Sequence, residues 1–269
     1  MKVKELYNQL GTLENRVYKK ESYPIHKKLI FDEEDYHDLN DWLTDTIAFN
    51  ENFSVLDAGC GTGQTLFKLA DKQHIIGLGI SLSDVEIGFA KSYRTKFNYQ
   101  DLDFKVFSFD ENFSHKFDLI VAIESIKHSS DYKNTIRNLA NHLNPGGEFW
   151  LIEDIRITGL NQLSNTNKFQ EWWNVPFLFD KTQIEESAKR AGLNVKKIFD
   201  LTSKMNQSSL KKANTRYRVW NILRHFAFGK KTRNNTRTFL AGFILDQWYT
   251  KGQMAYLVFK LQKPTSHIP

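Results

Sequence analysis

Val55-Leu56-Asp57-Ala58-Gly59-Cys60-Gly61-Thr62-Gly63-Gln64 reads as a short buried strand over 54–57, a glycine turn, and the start of a helix over 64–70. Glycine at alternate positions lets the backbone turn sharply and leaves no side chain between the loop and a ligand held against main-chain N–H groups. Strand, glycine loop and helix in that order open a doubly wound α/β fold, whose ligands bind at the carboxyl ends of the strands. The dinucleotide fingerprint fits poorly. The spacing is Gly-x-Gly-x-Gly, and Asp57 stands two residues before the first glycine.

The 269 residues suit one α/β domain with additions, and 41% hydrophobic with 14% aromatic content supplies a sizeable core. The stretch Met1-Lys-Val-Lys-Glu-Leu6 carries no apolar signal region, and no apolar run reaches transmembrane length. Cys60 is the single cysteine, which excludes an intrachain disulfide framework and places the chain most simply in the cytoplasm. No Cys/His spacing points to a metal. The net charge of +6 is unevenly spread. From Leu201 to Leu245 there are ten Lys and Arg and no Asp or Glu, so the remainder carries −4.

Along the chain, Asp32-Glu-Glu-Asp-Tyr36 heads a helical segment with Leu39, Trp42, Leu43, Ile47 and Phe49 at near-helical spacing. Strands follow at 74–80, 102–107 and 117–124, the last a nearly continuous apolar run expected of a central parallel strand. Between the first two, a helix over 81–96 has Ser81 or Ser83 as N-cap, with Glu86 completing a capping box. An amphipathic helix over 131–143 ends at Asn144-Pro-Gly-Gly147, and a strand over 148–152 follows. A helix over 181–191 closed by Gly192, a strand over 194–200 and a last strand over 254–261 complete the pattern.

The glycine stretch and the run from Phe117 through His128 to Asn144-Pro-Gly-Gly147 closely resemble class I S-adenosylmethionine-dependent methyltransferases. The likeness covers about residues 20–262 and is nearest to the small-molecule group that includes sterol, tocopherol and terpenoid methyltransferases. It implies a seven-stranded, mostly parallel sheet with these parts: a helical cap (1–50), a Rossmann-like cofactor core (51–155), a substrate-pocket connection (156–180), a core helix and strand (181–200), a basic aromatic lid insertion (201–245) and the final strand and tail (246–269). Asp57, Gly59, Cys60, Gly61 and Gln64 would then lie along S-adenosyl-L-methionine. The family usually ends its second strand with a ribose-binding carboxylate, and Gly79 stands there instead. Ribose contacts would fall to main chain around Gly79 and Ile80 or to Ser81, and a carboxylate introduced at Gly79 would add affinity if the loop tolerates it. Ser108 takes the position of the usual adenine-binding Asp, with Asp110 nearby, and Phe109 would lie against the base or in the core. Tyr23 and His26 resemble an aromatic and a His that cover the cofactor in relatives, and read equally well as a surface turn.

Methyl transfer from a sulfonium is an in-line displacement for which the protein supplies orientation and a place for a proton. His128 would serve as base for a hydroxyl acceptor, while Glu124 would serve an alkene and also touch the cofactor. Neither is essential for an amine, and His128 could equally just hold its loop. Trp172 and Trp173 read as a pocket wall or as residues buried against the cap. The basic insertion allows three readings: a site for a small anion such as a prenyl diphosphate held by Arg216, Arg218 and Arg224, a site for nucleic acid held by phosphate neutralisation and stacking, or a solvated lid whose charge attracts a membrane surface or nothing specific. A non-catalytic binding protein is the remaining class. The small-molecule methyltransferase, as a monomer or a homo-oligomer, is the reading preferred on this sequence, with an RNA methyltransferase second.

Overall fold

The computed structural model describes residues 3–18, 27, 29–31, 36, 38–48, 52–159, 163–205, 209–223, 225 and 229–265. Tyr23, His26, Phe49, Arg224 and the acidic run 32–35 lie outside the described residues. In chain order the elements are α1 (Val3–Tyr18), α2 (Leu39–Thr46), β1 (Phe53–Ala58), α3 (Gln64–Lys72), β2 (Ile75–Ser81), α4 (Asp84–Lys96), β3 (Leu102–Val106) and β4 (Phe117–Ile123). They continue with α5 (Tyr132–Asn141), β5 (Leu143–Arg156), α6 (Thr166–Trp173), α7 (Lys181–Arg190), β6 (Asn194–Asp200), α8 (Leu210–Leu223), α9 (Lys230–Thr250) and β7 (Met254–Gln262).

The sheet has seven strands in the order β3-β2-β1-β4-β5-β7-β6. Strands β1 to β5 pair in parallel, and β7 runs antiparallel between β5 and β6. Alternation of side chains sends neighbours to opposite faces. Val55, Val121 and Trp150 join one core, roofed by α2, α3, α6 and α9; Leu56, Ile120 and Phe149 join the other, under α5 and α7. A strand covered on both faces must be apolar throughout, and β4 is buried at six of its seven residues.

Three local readings change. The helix α2 is capped by Asp38, whose carboxylate accepts from the N–H groups of Asn40 (2.8 Å) and Asp41 (3.1 Å). Ser83 caps α4 as expected, but the box does not close: the Glu86 carboxylate accepts the Ser81 hydroxyl at 2.7 Å, and the Ser83 N–H donates to Ser81 Oγ. Asn144-Pro-Gly-Gly147 lies within β5 and does not separate it from the preceding helix. Phe117 pairs with Leu143 and Leu119 with Glu148, so those residues form a bulge with Gly146 at φ +81°.

Candidate functional site

The carboxyl ends of β1, β2 and β4 surround a cavity of about 400 Å3, closed above by α1 and α9. That volume is in the range of sites for drug-sized ligands and cofactors. Gly59, Cys60, Gly61 and Gln64 form its floor, and Ile80, Ser81, Ser108 and Phe109 one end. Glu124, His128 and Trp173 lie toward the other, and Asp110 also lines the wall, so twelve residues singled out from the sequence meet in one space.

Others do not. Asp57 is buried beneath the loop and does not line the cavity; its Oδ2 has no hydrogen-bond partner, and burial raises its carboxyl from 3.8 to about 7. Gly79 also stands behind the wall. A Cβ there would lie 2.5 Å from Phe104 Cδ1 and 2.9 Å from Cys60 Sγ, so the position has no room for a carboxylate. At Gly59 a Cβ would meet Ser125 Cβ at 2.4 Å, with φ at +100°. The glycines at 59 and 79 are therefore required by neighbouring protein atoms, not only by a ligand's approach. Trp172 packs in the core with Phe169, leaving Trp173 alone of the pair on the wall. Arg216 and Arg218 are exposed on α8 and do not line the cavity.

Sequence reasoning missed several wall residues. Glu86, read only as a helix cap, presents a buried carboxylate at the end of β2 through its bond to Ser81. Phe239 and Phe243 come from α9, inside the segment read as a lid. Tyr7 comes from α1, where Val3, Tyr7 and Leu10 recur at helical spacing, a signal that was available.

The Tyr7 phenol and His128 Nε2 are 2.7 Å apart, and His128 Nδ1 lies 3.1 Å from the Asn174 carbonyl. A carbonyl can only accept, so Nδ1 carries the proton and Tyr7 donates to Nε2. Burial, helped by the nearby Lys127 ammonium, pushes the imidazole down to about 3. The ring is neutral with a basic nitrogen facing a phenol.

Beside this pair lies a buried ionic cluster. Lys127 Nζ reaches Asp154 Oδ2 at 2.9 Å, Glu153 Oε1 at 3.1 Å and Glu124 Oε2 at 3.6 Å. Lys27 Nζ reaches Asp154 Oδ1 at 2.6 Å and Glu124 Oε2 at 3.3 Å. Tyr256 donates to Glu124 at 2.9 Å, and Tyr249 donates to Asp154. Burial alone would raise the Asp154 carboxyl, but the two ammonium groups outweigh it and hold it well below the usual range. Glu124 itself sits at φ +52°, a conformation rarely taken by a residue with a side chain. This network fixes the 3-10 turn Ile126–His128 against the end of β5 and aims the imidazole at the cavity.

The residues present suit a nucleoside-bearing sulfonium cofactor. A carboxylate with a hydroxyl matches a ribose diol, apolar Ile80 and Phe109 match a base, and Glu124 and Asp246 add negative charge to the walls.

A family model described as "Methyltransferase domain" matches residues 31–198. An O-methyltransferase of Pyrenophora dematioidea is 28% identical over 153 residues, 55% of this chain and 56% of that protein. A sterol 24-C-methyltransferase of Debaryomyces hansenii is 23% identical over 174 residues, 61% of this chain and 45% of that protein. The chain thus spans about half the length of these curated relatives. Among solved structures, the [4+2]-cyclase SpnF superposes with a TM-score of 0.75 at 21% identity, covering 98% of this chain and 96% of that one.

Proposed function

The chain belongs to the class I S-adenosylmethionine-dependent methyltransferases, and on that premise we propose that it methylates a hydroxyl of a small, neutral, lipophilic acceptor. S-adenosylmethionine, when bound, supplies the electrophilic methyl group. In this reading Gly59, Cys60, Gly61 and Gln64 hold its amino-acid end, and Glu86 with Ser81 takes the ribose hydroxyls. Ile80, Ser108 and Phe109 take the base. Trp173, Phe239 and Phe243 bound the acceptor.

The observation that carries the reading is the Tyr7–His128 bond on the cavity wall. An acceptor hydroxyl that donates to the Tyr7 oxygen passes its proton there as Tyr7 passes its own to His128 Nε2. A weak base suffices, because a hydroxyl being methylated becomes a far stronger acid than the free alcohol or phenol. The competing proton acceptor, Glu124, is already engaged by Tyr256, Lys27 and Lys127, which counts against loss of a proton from an alkene-derived cation.

A neutral acceptor is supported by the charges around the space. Lys127 is the sole Lys or Arg on its walls among the described residues, and three carboxylates already surround it. The exposed arginines of α8 point to a different task. The test is methylation of a panel of phenols, alcohols, prenyl diphosphates and sterols with a labelled methyl donor. Phenols or alcohols should react, and His128→Ala should lower kcat by about 100-fold or more while S-adenosylmethionine still binds. Preference for a diphosphate, or full activity of His128→Ala, would overturn the assignment.

A further inference from the structure

The helix α8 has two unlike faces. Ala213, Tyr217 and Trp220 turn inward, Tyr217 and Trp220 packing against the core and Trp220 lying 5.3 Å from the Phe239 ring. On the outer face Val219, Ile222 and Leu223 are 48%, 61% and 48% exposed. At 100° per residue, Lys211 and Arg218 flank this apolar strip on one side and Arg216 on the other, while Lys212 lies in line with the strip two turns toward the N-terminus. All four cations are exposed; Arg216 faces the Asp246 carboxylate of α9, and no Asp or Glu stands between Leu201 and Leu245.

We propose that the outer face of α8 docks on an anionic lipid membrane. Large apolar side chains left in water beside cations are the composition of an interfacial helix: the strip enters the headgroup boundary while lysine and arginine extend toward lipid phosphates. Clusters of about four to eight Lys and Arg suffice to recognise anionic lipid. The same features argue against nucleic acid. A single-stranded ligand needs aromatic rings to stack on, and among the described residues of α8 the two rings, Tyr217 and Trp220, are turned toward the protein interior.

The location gives the contact a use. Helix α8 packs on α9, whose Phe239 lines the cavity while remaining 40% exposed. A docked molecule therefore holds this side of the cavity close to the bilayer, where a lipophilic acceptor would be concentrated. The surface lies outside the cavity, so the inference stands whichever acceptor is methylated.

Co-sedimentation of the full chain with phosphatidylglycerol/phosphatidylcholine vesicles, and with phosphatidylcholine alone, tests it. The protein should pellet with the anionic vesicles at low salt, be released at high salt, and stay in solution with neutral ones. Val219→Asp with Ile222→Asp, and separately Lys211→Gln with Lys212→Gln, should each weaken vesicle binding at least tenfold, with S-adenosylmethionine affinity unchanged. Having two independent variant pairs keeps the test valid if one fails to fold. Absence of binding to anionic vesicles would overturn the proposal. So would a dimer dissolved by Ile222→Asp, or tighter binding of single-stranded RNA than of vesicles abolished by the lysine changes.

Discussion

Glu86 brings negative charge to the end of β2 from the neighbouring helix, at a strand terminus where Gly79 has no space for it. Replacing Glu86 by Gln keeps the shape and removes the charge. Calorimetry should show S-adenosylmethionine affinity falling roughly tenfold, the loss of about 1.5 kcal/mol expected for a hydrogen bond to a charged group. Unchanged affinity would show that the ribose is held elsewhere. Gly79→Asp will not repair such a loss, because its Cβ would strike the Phe104 ring. His128 makes a second residue-level prediction. With its imidazole held at about 3, protonation of this ring cannot set an acid limb at the usual 6.5. The profile of kcat/KM should show no His128-dependent fall between about pH 5 and 8. A limb near 6.5 that vanishes in His128→Gln would contradict the neutral, buried state. Tyr7→Phe should lower kcat much more than it raises KM, since it removes the relay and leaves the wall.

The turn after β4 concentrates its charge on Lys127, whose ammonium faces three carboxylates while almost fully buried. Removing one member of such a set leaves uncompensated charge, so Lys127→Met should cost about 3–5 kcal/mol in urea unfolding. A loss below about 1 kcal/mol would mean water or rearrangement replaces the ammonium. At this scale the strands were legible. Apolar runs located β1, β2, β4 and β7 to within a residue or two, because burial in the sheet forces that composition, whereas β6, an exposed edge strand, was placed by the helix and Gly192 before it. The bulge at Asn144–Gly147 was not, since Pro-Gly-Gly reads as a turn whether or not pairing resumes within the same strand. Nor could spacing bring Lys127 to Asp154, or Tyr7 to His128, across 27 and 121 residues. The glycine loop announced one end of the cavity by local pattern, whereas the walls from α1, α6 and α9 are assembled by packing alone.

For the molecule as a whole, two buried groups pull stability in opposite directions with pH. His128 binds fewer protons folded than unfolded between about pH 3 and 6.5, so it favours unfolding as pH falls through that window. Asp57, raised from 3.8 to about 7, binds more protons folded than unfolded, so it favours unfolding as pH rises through its own window. Asp57→Asn removes the second effect. Its unfolding free energy should climb more steeply than the wild type's from pH 4 to 7 in chemical denaturation; parallel curves would show that the carboxyl is not raised. The strand order also bears on how the chain is made. The sheet inserts β7, last in sequence, between β5 and β6. While a ribosome is still synthesising residues before 254, β5 has an open hydrogen-bonding edge, and β6 has no partner strand among the described residues. Such edges are templates for mispairing with other chains. Nascent chains stalled before residue 254 should therefore remain protease-sensitive and attract chaperones even though the glycine loop and its helix were synthesised long before.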